Sequence, residues 1–393
     1  MPKKEINKRI LLMVPSLHQG GMEKVCILTA DMLKKKYDVY IAIFSEKNLF
    51  YKPENVEIIN IHSEVKNGHI RKIINVFLRI HKIRKIKKQK KIDITMSFGS
   101  TAGLVNVLAK YRDKTISAIH GYNLLSEKSR MTVISKLSDA VVCCSKEITE
   151  EFQKMYGSRK LLTLYNPYDI EDIEKKSYED IEEEHKGFFD STDKIIVTMS
   201  REDDFKGFWH LIKIFALLRK RTDKVRLVMI GDGDFSDYKK LAHQLGVDSK
   251  ILFTGLQKNP FSYLRLCDVY VMTSISEGLP NGLIEAMAVG LPIISTNCKS
   301  GPAEILHADY MAAAEKEDVF AADYGLLMPK LNPQKNLNPD EIESGERIFA
   351  EQLYEFLNNS EELAVRREQS LKRSEFFRAE RYEERLVDIL ENL

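Results

Sequence analysis

None of the five cysteines, Cys26, Cys143, Cys144, Cys267 and Cys298, stands in a CxxC pair, and their number is odd. Most lie in or beside apolar runs. That argues against a disulfide framework or a thiolate metal site, and for reduced, buried thiols in a cytoplasmic protein. Long apolar stretches are missing too. After the basic start MPKKEINKR, the apolar run ILLMV ends at Pro15, which is too short for a signal peptide, and no stretch approaches a membrane span. Net charge is nearly absent: +2 over 393 residues removes nucleic acid as the main partner. The loop after the first strand lacks GxGxxG, which speaks against a dinucleotide-dependent dehydrogenase.

What is present points to two domains, since 393 residues exceed what one hydrophobic core usually serves. RILLMV, YDVYIAIF, DITMSF, TISAIH and AVVCC read as buried strands separated by helical patterns. KIIVTMS, VRLVMIG, ILFTG, VYVMTS and LPIIST repeat the order further on. Nearly continuous apolar strands alternating with helices imply α/β domains with parallel sheets covered on both faces. Residues 1–168 form the expected first domain and 169–190, the acidic DIEDIEKKSYEDIEEEHKG and its flank, the connection, with some helix of its own. Residues 191–370 form the second domain, and 371–393 a terminal amphipathic helix packing back toward the first. Segment 306–345 is less regular, and its NPQKNLNP stretch reads as loop.

In SISEGLPNGLIEAMAVGLPII, Glu277 and Glu285 have seven residues between them. Gly278, Leu279, Pro280, Asn281 and Gly282 read as a loop turning into a helix. An open helix start presents backbone N–H groups and a positive dipole end, which suits a diphosphate, while the carboxylates suit sugar hydroxyls. Taken singly, either glutamate reads equally well as answering a helix dipole, so the pair is read in context. Arg201 and Lys206 follow the strand IIVTMS, and Gly207 lets the backbone turn into the next helix. These cations suit a departing phosphate, Arg by bidentate contact and Lys as a mobile point charge. His120 ends a strand before Gly121, where it faces either a ligand or a purely structural role. Asp232-Gly233-Asp234 has the form of a metal-binding D-x-D but reads as a turn after VRLVMIG, because Arg201 and Lys206 already supply phosphate charge.

With the E-x7-E spacing, Arg201, Lys206-Gly207 and Gly20-Gly21-Met22-Glu23 in this order along nearly the whole chain, the sequence resembles glycosyltransferase family 4. The resemblance implies the GT-B fold, two Rossmann-like doubly wound domains facing across a cleft, and transfer with retained anomeric configuration. By the same resemblance Glu285 would hold the ribose hydroxyls and Glu277 the transferred sugar. Arg201 and Lys206 would grip the diphosphate, aided by backbone N–H groups from Gly278 to Gly282. Gly231, Gly233, Gly255 and Leu256 would flank the base, Gly20 and Gly21 would admit donor and acceptor, and His120 would stand beside the donor sugar. No cofactor and no metal are expected. The loop Ser300-Gly301-Pro302 resembles members that build bacterial surface polysaccharides, which suggests a UDP-activated hexose or N-acetylhexosamine and a glycan or lipid-linked glycan acceptor. A non-catalytic GT-B partner subunit is the competing reading, and such a protein need not keep Glu277, Arg201 and Lys206.

One segment stands outside this scheme. From Val65 to Lys91 the chain carries Lys66, Arg71, Lys72, Arg79, Lys82, Arg84, Lys85, Lys87, Lys88, Lys90 and Lys91 with no acidic residue, and Ile73, Ile74, Val76, Phe77, Ile80 and Ile83 supply an apolar side. A basic amphipathic helix suits an anionic membrane surface, here the inner face of the plasma membrane; a solvated helix packed on its domain is the alternative.

Overall fold

The computed structural model describes residues 8–18, 20–47, 49–64 and 69–393. The chain divides into two compact units, residues 1–167 with 379–393, and 168–378. In the first unit β1 (Arg9–Val14), β2 (Asp38–Ile43), β3 (Glu57–Asn60), β4 (Ile94–Phe98), β5 (Lys114–Ile119), β6 (Ala140–Cys143) and β7 (Leu161–Thr163) form one parallel sheet in the order 3-2-1-4-5-6-7. The period of two along β1 explains its unbroken apolar run. Ile10, Leu12 and Val14 enter one core with Val25, Leu33 and Ile41, while Leu11 and Met13 enter another with Ala42, Ile83 and Val105. Both faces are therefore helix-covered.

The first of these cores is completed from the far end of the chain. Helix Ala379–Glu391 contributes Tyr382, Leu386, Ile389 and Leu390, and the Tyr382 hydroxyl lies 2.7 Å from that of Thr29. Leu386 is fully buried, so truncating it to Ala removes a contact of the class that costs about 2–5 kcal/mol.

The second unit holds β8 (Lys194–Met199), β9 (Val225–Ile230), β10 (Ile251–Gly255), β11 (Val269–Met272), β12 (Ile293–Thr296), β13 (Phe320–Ala322) and β14 (Gly325–Met328), in the order 10-9-8-11-12-14-13. Only β13 runs antiparallel among the described pairings. Helix Phe208–Arg219 is buried almost all round, and even its polar His210 and Lys213 are fully enclosed. His210 Nδ1 meets Glu346 Oε1 at 2.6 Å, its Nε2 meets the Asn332 carbonyl at 2.9 Å, and Lys213 donates to the Glu341 carbonyl at 2.8 Å. These contacts pin the stretch between β14 and helix Ser344–Asn358 onto that buried helix.

Three boundaries differ from the sequence reading. Residues 169–190 belong to the second unit rather than standing between the two; they do contain helix, as expected, at Ile170–Ser177 and Glu183–Phe189. Buried Ile170, Ile173 and His185 anchor them despite the acidic composition. The terminal helix begins at Ala379, and 371–378 stay with the second unit, because a 3-10 turn at Glu375–Phe377 interrupts the helical run. Segment 306–345, expected only to be less regular, also holds two strands: β13 and β14 form a hairpin whose β14 joins β12 in parallel register. Strands of three and four residues are too short to display a period. Of the basic segment, Lys66 and the rest of 65–68 lie outside the described residues. Helix His69–Lys90 takes up nearly all of the remainder, and no helix among the described residues is long and apolar enough to cross a membrane.

Candidate active site

In each sheet the strand order reverses at one point, between β1 and β4 in the first and between β8 and β11 in the second. At such a point the chain leaves neighbouring strand ends in opposite directions and opens a crevice suited to a ligand. Glu277 and Lys206 both sit in loops leaving the second switch point. The loop after β8 and the loop after β11 are zipped together: Ile275 N donates to the Phe205 carbonyl at 2.7 Å, and the Thr273 hydroxyl donates to the Gly207 carbonyl at 3.1 Å. Gly207 is required there twice over. Its φ is +61°, and a Cβ would stand 2.3 Å from the Thr273 carbonyl oxygen.

This zipping brings Lys206 Nζ to 2.8 Å from both carboxylate oxygens of Glu277. The pair is largely enclosed, with 8% of the Glu277 side chain and 21% of the Lys206 side chain exposed. Glu277 is held from behind by its own N–H, which donates to the Lys299 carbonyl at 2.6 Å. Arg201, grouped with Lys206 in the sequence reading, lies elsewhere in the same loop: it is 58% exposed, and its ion-pair contact is to Asp203 at 3.7 Å. The enclosed cation is thus already matched to a carboxylate, and the exposed one is available to an incoming anion.

Helix Asn281–Ala288 starts at the same crevice. Pro280 occupies its N-cap position, and no side chain caps the start. Gly282 presses the first turn onto the end of β8, since a Cβ would lie 2.6 Å from the Met199 carbonyl oxygen and 2.7 Å from the Tyr270 hydroxyl. The preceding loop is fixed by the Ser300 hydroxyl, which donates to the Gly278 carbonyl at 2.7 Å, and Leu279 is buried. Glu285 falls in the helix's second turn and is 7% exposed. The sequence reading missed Tyr168, whose hydroxyl donates to Asn281 Oδ1 at 2.5 Å, because the partners are 113 residues apart. Tyr270 was also missed; a tyrosine inside the apolar strand VYVM signals a hydroxyl in need of a partner, and it finds the Met199 carbonyl at 3.3 Å. Burial pushes that phenol well above its ordinary pKa, with Glu277 adding to the effect, so it stays a neutral donor.

Gly231, Gly233 and Gly255 meet beside the loop after β8. Gly231 N donates to the Gly255 carbonyl at 3.1 Å, and Gly233 and Gly255 line a cavity of about 330 Å³ with Phe235, Lys239, Phe253 and Thr254. The Phe235 and Phe253 rings are 5.8 Å apart, and Leu256 is exposed next to Gly255. Asp234 is occupied by the turn: it accepts from both N–H and hydroxyl of Ser236, which lowers its pKa. A larger cavity of about 680 Å³, between Asp323 and Arg366, holds none of the predicted residues. Among the described residues Glu182, Glu184 and His185 have metal-binding spacing, and they too lie outside the predicted set.

The first unit has its own switch point. Gly20 and Gly21 follow β1, and a Cβ on Gly20 would stand 2.2 Å from Glu23 Oε2, so glycine leaves room for a buried carboxylate. His18 Nδ1 lies 3.2 Å from Glu23 Oε1. His120 follows β5, one strand beyond β4. Its ring stacks on Phe98 at 5.6 Å, and neither ring nitrogen has a well-formed hydrogen bond. Burial pushes its pKa down to about 4, which the neighbouring Asn166 only partly offsets, so the imidazole is neutral at physiological pH.

Residues 19–172 match the family model Glycosyltransferase Family 4, and residues 179–323 match Glycosyl transferases group 1. A Campylobacter jejuni N-acetylgalactosamine-N,N'-diacetylbacillosaminyl-diphospho-undecaprenol 4-alpha-N-acetylgalactosaminyltransferase is 26% identical over 77% of this chain and 84% of its own. An uncharacterised glycosyltransferase of Methanocaldococcus jannaschii is 25% identical over 89% of this chain and 91% of its own. Among solved structures, Anabaena HepE in complex with UDP and glucose superposes with a TM-score of 0.73 at 18% identity, covering 98% of this chain and all of that one. The lipopolysaccharide glycosyltransferase WaaG gives 0.69 at 15% identity over 97% of this chain and 99% of its own. Two glycosyltransferase models in succession span most of the chain, and the sheets beneath them have the architecture of those solved relatives; the chain belongs to the glycosyltransferases of the GT-B fold, a family 4 domain followed by a group 1 domain.

Proposed function

We propose that the protein is a retaining glycosyltransferase moving a hexose or N-acetylhexosamine from a UDP-linked donor to a glycan or lipid-linked glycan acceptor, in surface polysaccharide synthesis at the cytoplasmic face of a membrane. The observation that carries this reading is the enclosed Lys206–Glu277 pair at the switch point, beside a helix start without a side-chain cap. A diphosphate entering there meets the helix dipole, Lys206 and exposed Arg201, which together stabilise charge on the leaving phosphate without a metal. Glu277, already an acceptor for an ammonium, accepts sugar hydroxyls. Glu285 takes the ribose, and the cavity between Gly233, Phe253 and Gly255 takes the base. His120, neutral, accepts or donates one hydrogen bond to the donor sugar rather than acting as a charged group.

The UDP-bound Anabaena structures and the undecaprenol-linked acceptor in the Campylobacter relative's name support the donor and acceptor classes. Thermal unfolding with a panel of UDP- and GDP-sugars tests the donor, because a ligand of the folded state alone raises its midpoint. A UDP-hexose or UDP-N-acetylhexosamine should give the largest shift, and preference for GDP-sugars would overturn the nucleotide assignment. Product anomers read by NMR test retention, and an unchanged rate in EDTA is expected of a metal-independent site.

A further inference from the structure

Helix His69–Lys90 sorts its cations into two kinds. One kind is used internally. Arg79 donates to the Ser63 carbonyl at 2.6 Å and lies over the Phe44 ring at 4.6 Å, and Lys82 donates to the Ile61 carbonyl at 2.6 Å. Lys87, fully buried, holds Asp113 at 2.8 Å and Asn106 Oδ1 at 2.7 Å, while Lys90 pairs with Glu57 at 2.7 Å. With buried Ile83 these residues rivet the inward face of the helix to its domain.

The opposite face is different. Ile73, Ile74, Phe77 and Leu78 are 58%, 52%, 67% and 50% exposed, and at 100° per residue they fall on one stripe. His81, Arg84, Lys85 and Lys88 continue that stripe toward the C-terminus, all exposed. Among the described residues no carboxylate pairs with Arg84, Lys85 or Lys88 in an ion pair, and the helix contains no acidic residue. The outward stripe is therefore apolar over its first half and cationic over its second, and the two parts are separated along the axis rather than around it.

From this geometry we infer that the outward face of helix His69–Lys90 is an anchor for an anionic lipid surface, in which Ile73, Ile74, Phe77 and Leu78 enter the headgroup and acyl boundary and Arg84, Lys85 and Lys88 bind lipid phosphates. The apolar part spans about 9 Å along the helix axis, so the four side chains can enter the headgroup and acyl boundary together when the helix lies on the surface. Four large exposed side chains form a patch that water does not favour, and three unpaired cations beside it match the negative potential of an anionic leaflet. Such an anchor is the means of the membrane association proposed under the transferase reading, and it depends on that reading for its purpose but not for its physics.

The full-length protein should co-sediment with vesicles containing phosphatidylglycerol, bind pure phosphatidylcholine vesicles weakly, and be released by salt. Replacing Phe77 and Leu78 together by Glu, or Arg84, Lys85 and Lys88 together by Glu, should lower partitioning on the order of a hundred-fold. Both variants should keep the wild-type thermal shift with UDP, which certifies the fold. In Phe77→Trp, emission from the added indole should shift to the blue on vesicle addition. Vesicle binding that survives both sets of substitutions overturns the inference, as does a self-association of the wild type, without lipid, that Phe77→Glu abolishes. Loss of the UDP response with intact vesicle binding would sink the transferase reading and leave the anchor standing.

Discussion

The two switch points are alike in topology and opposite in chemistry. At β8 and β11 the loops are laced by backbone hydrogen bonds and enclose an ion pair, Lys206 with Glu277, with a second cation exposed nearby. At β1 and β4 the loop after β1 has glycines over a buried carboxylate, and the nearest predicted catalytic group, His120, is an uncharged ring in an apolar setting. One sheet plan repeated in a chain thus does not repeat a site. The second unit sets a cation against a carboxylate where its strand order reverses, whereas the first sets a buried carboxylate, Glu23, and an uncharged ring there.

The strongest way to break this contrast is to remove the enclosed cation. Lys206→Ala should lower kcat/KM for transfer by about 10³, the class of loss seen when a preorganised charge-stabilising donor is removed, and should leave Glu277 buried without its partner. A rate within a few-fold of wild type would move the leaving-group role elsewhere. Next in size is a pH effect in the first unit. His120 has a folded pKa near 4 against an ordinary 6.5, so the unfolded chain takes up the proton first as pH falls. Stability from this group is intact above about pH 6.5 and lost progressively toward pH 4, by about 3 kcal/mol. Chemical denaturation should show wild type losing that much more than His120→Asn between pH 7 and pH 4; parallel curves would mean the ring is solvated. The smallest effect separates the two glutamates. Glu285→Ala should raise donor KM about ten-fold with little change in kcat, whereas Glu277→Ala should chiefly lower kcat. The same pure binding defect in both would erase the distinction between nucleotide and sugar sides.

Much of this was legible in the sequence because it is written locally. Strands such as RILLMV and IIVTMS announce burial on both faces, and the spacing of Glu277 to Glu285 announces a helix start between them. What was not legible depends on residues far apart in the chain. The motif placed Lys206 and Glu277 in one site, but their direct pairing across 71 residues needs the zipped loops. Arg201 and Lys206 look equivalent in sequence, and only the αL turn at Gly207 carries the second inward while the first remains in solvent. Eleven cations between Lys66 and Lys91 likewise read as one class, until the fold spends Arg79, Lys82, Lys87 and Lys90 on internal partners. The edge strand β3 and the β13–β14 hairpin escaped because so few residues carry no period.

Helix Ala379–Glu391, which closes the core around Ile10, Leu12 and Val14, is synthesised only after the whole of 168–378. The opening strands therefore wait through synthesis of the whole of 168–378, on the order of 10–40 s at ordinary elongation rates, with part of their apolar face uncovered. The second unit is continuous in sequence and is fully synthesised while the first still lacks this helix. A nascent chain stalled before residue 379 should expose to chaperones the apolar surface on which Tyr382, Leu386 and Leu390 dock, so that this thirteen-residue helix completes the core of the first unit.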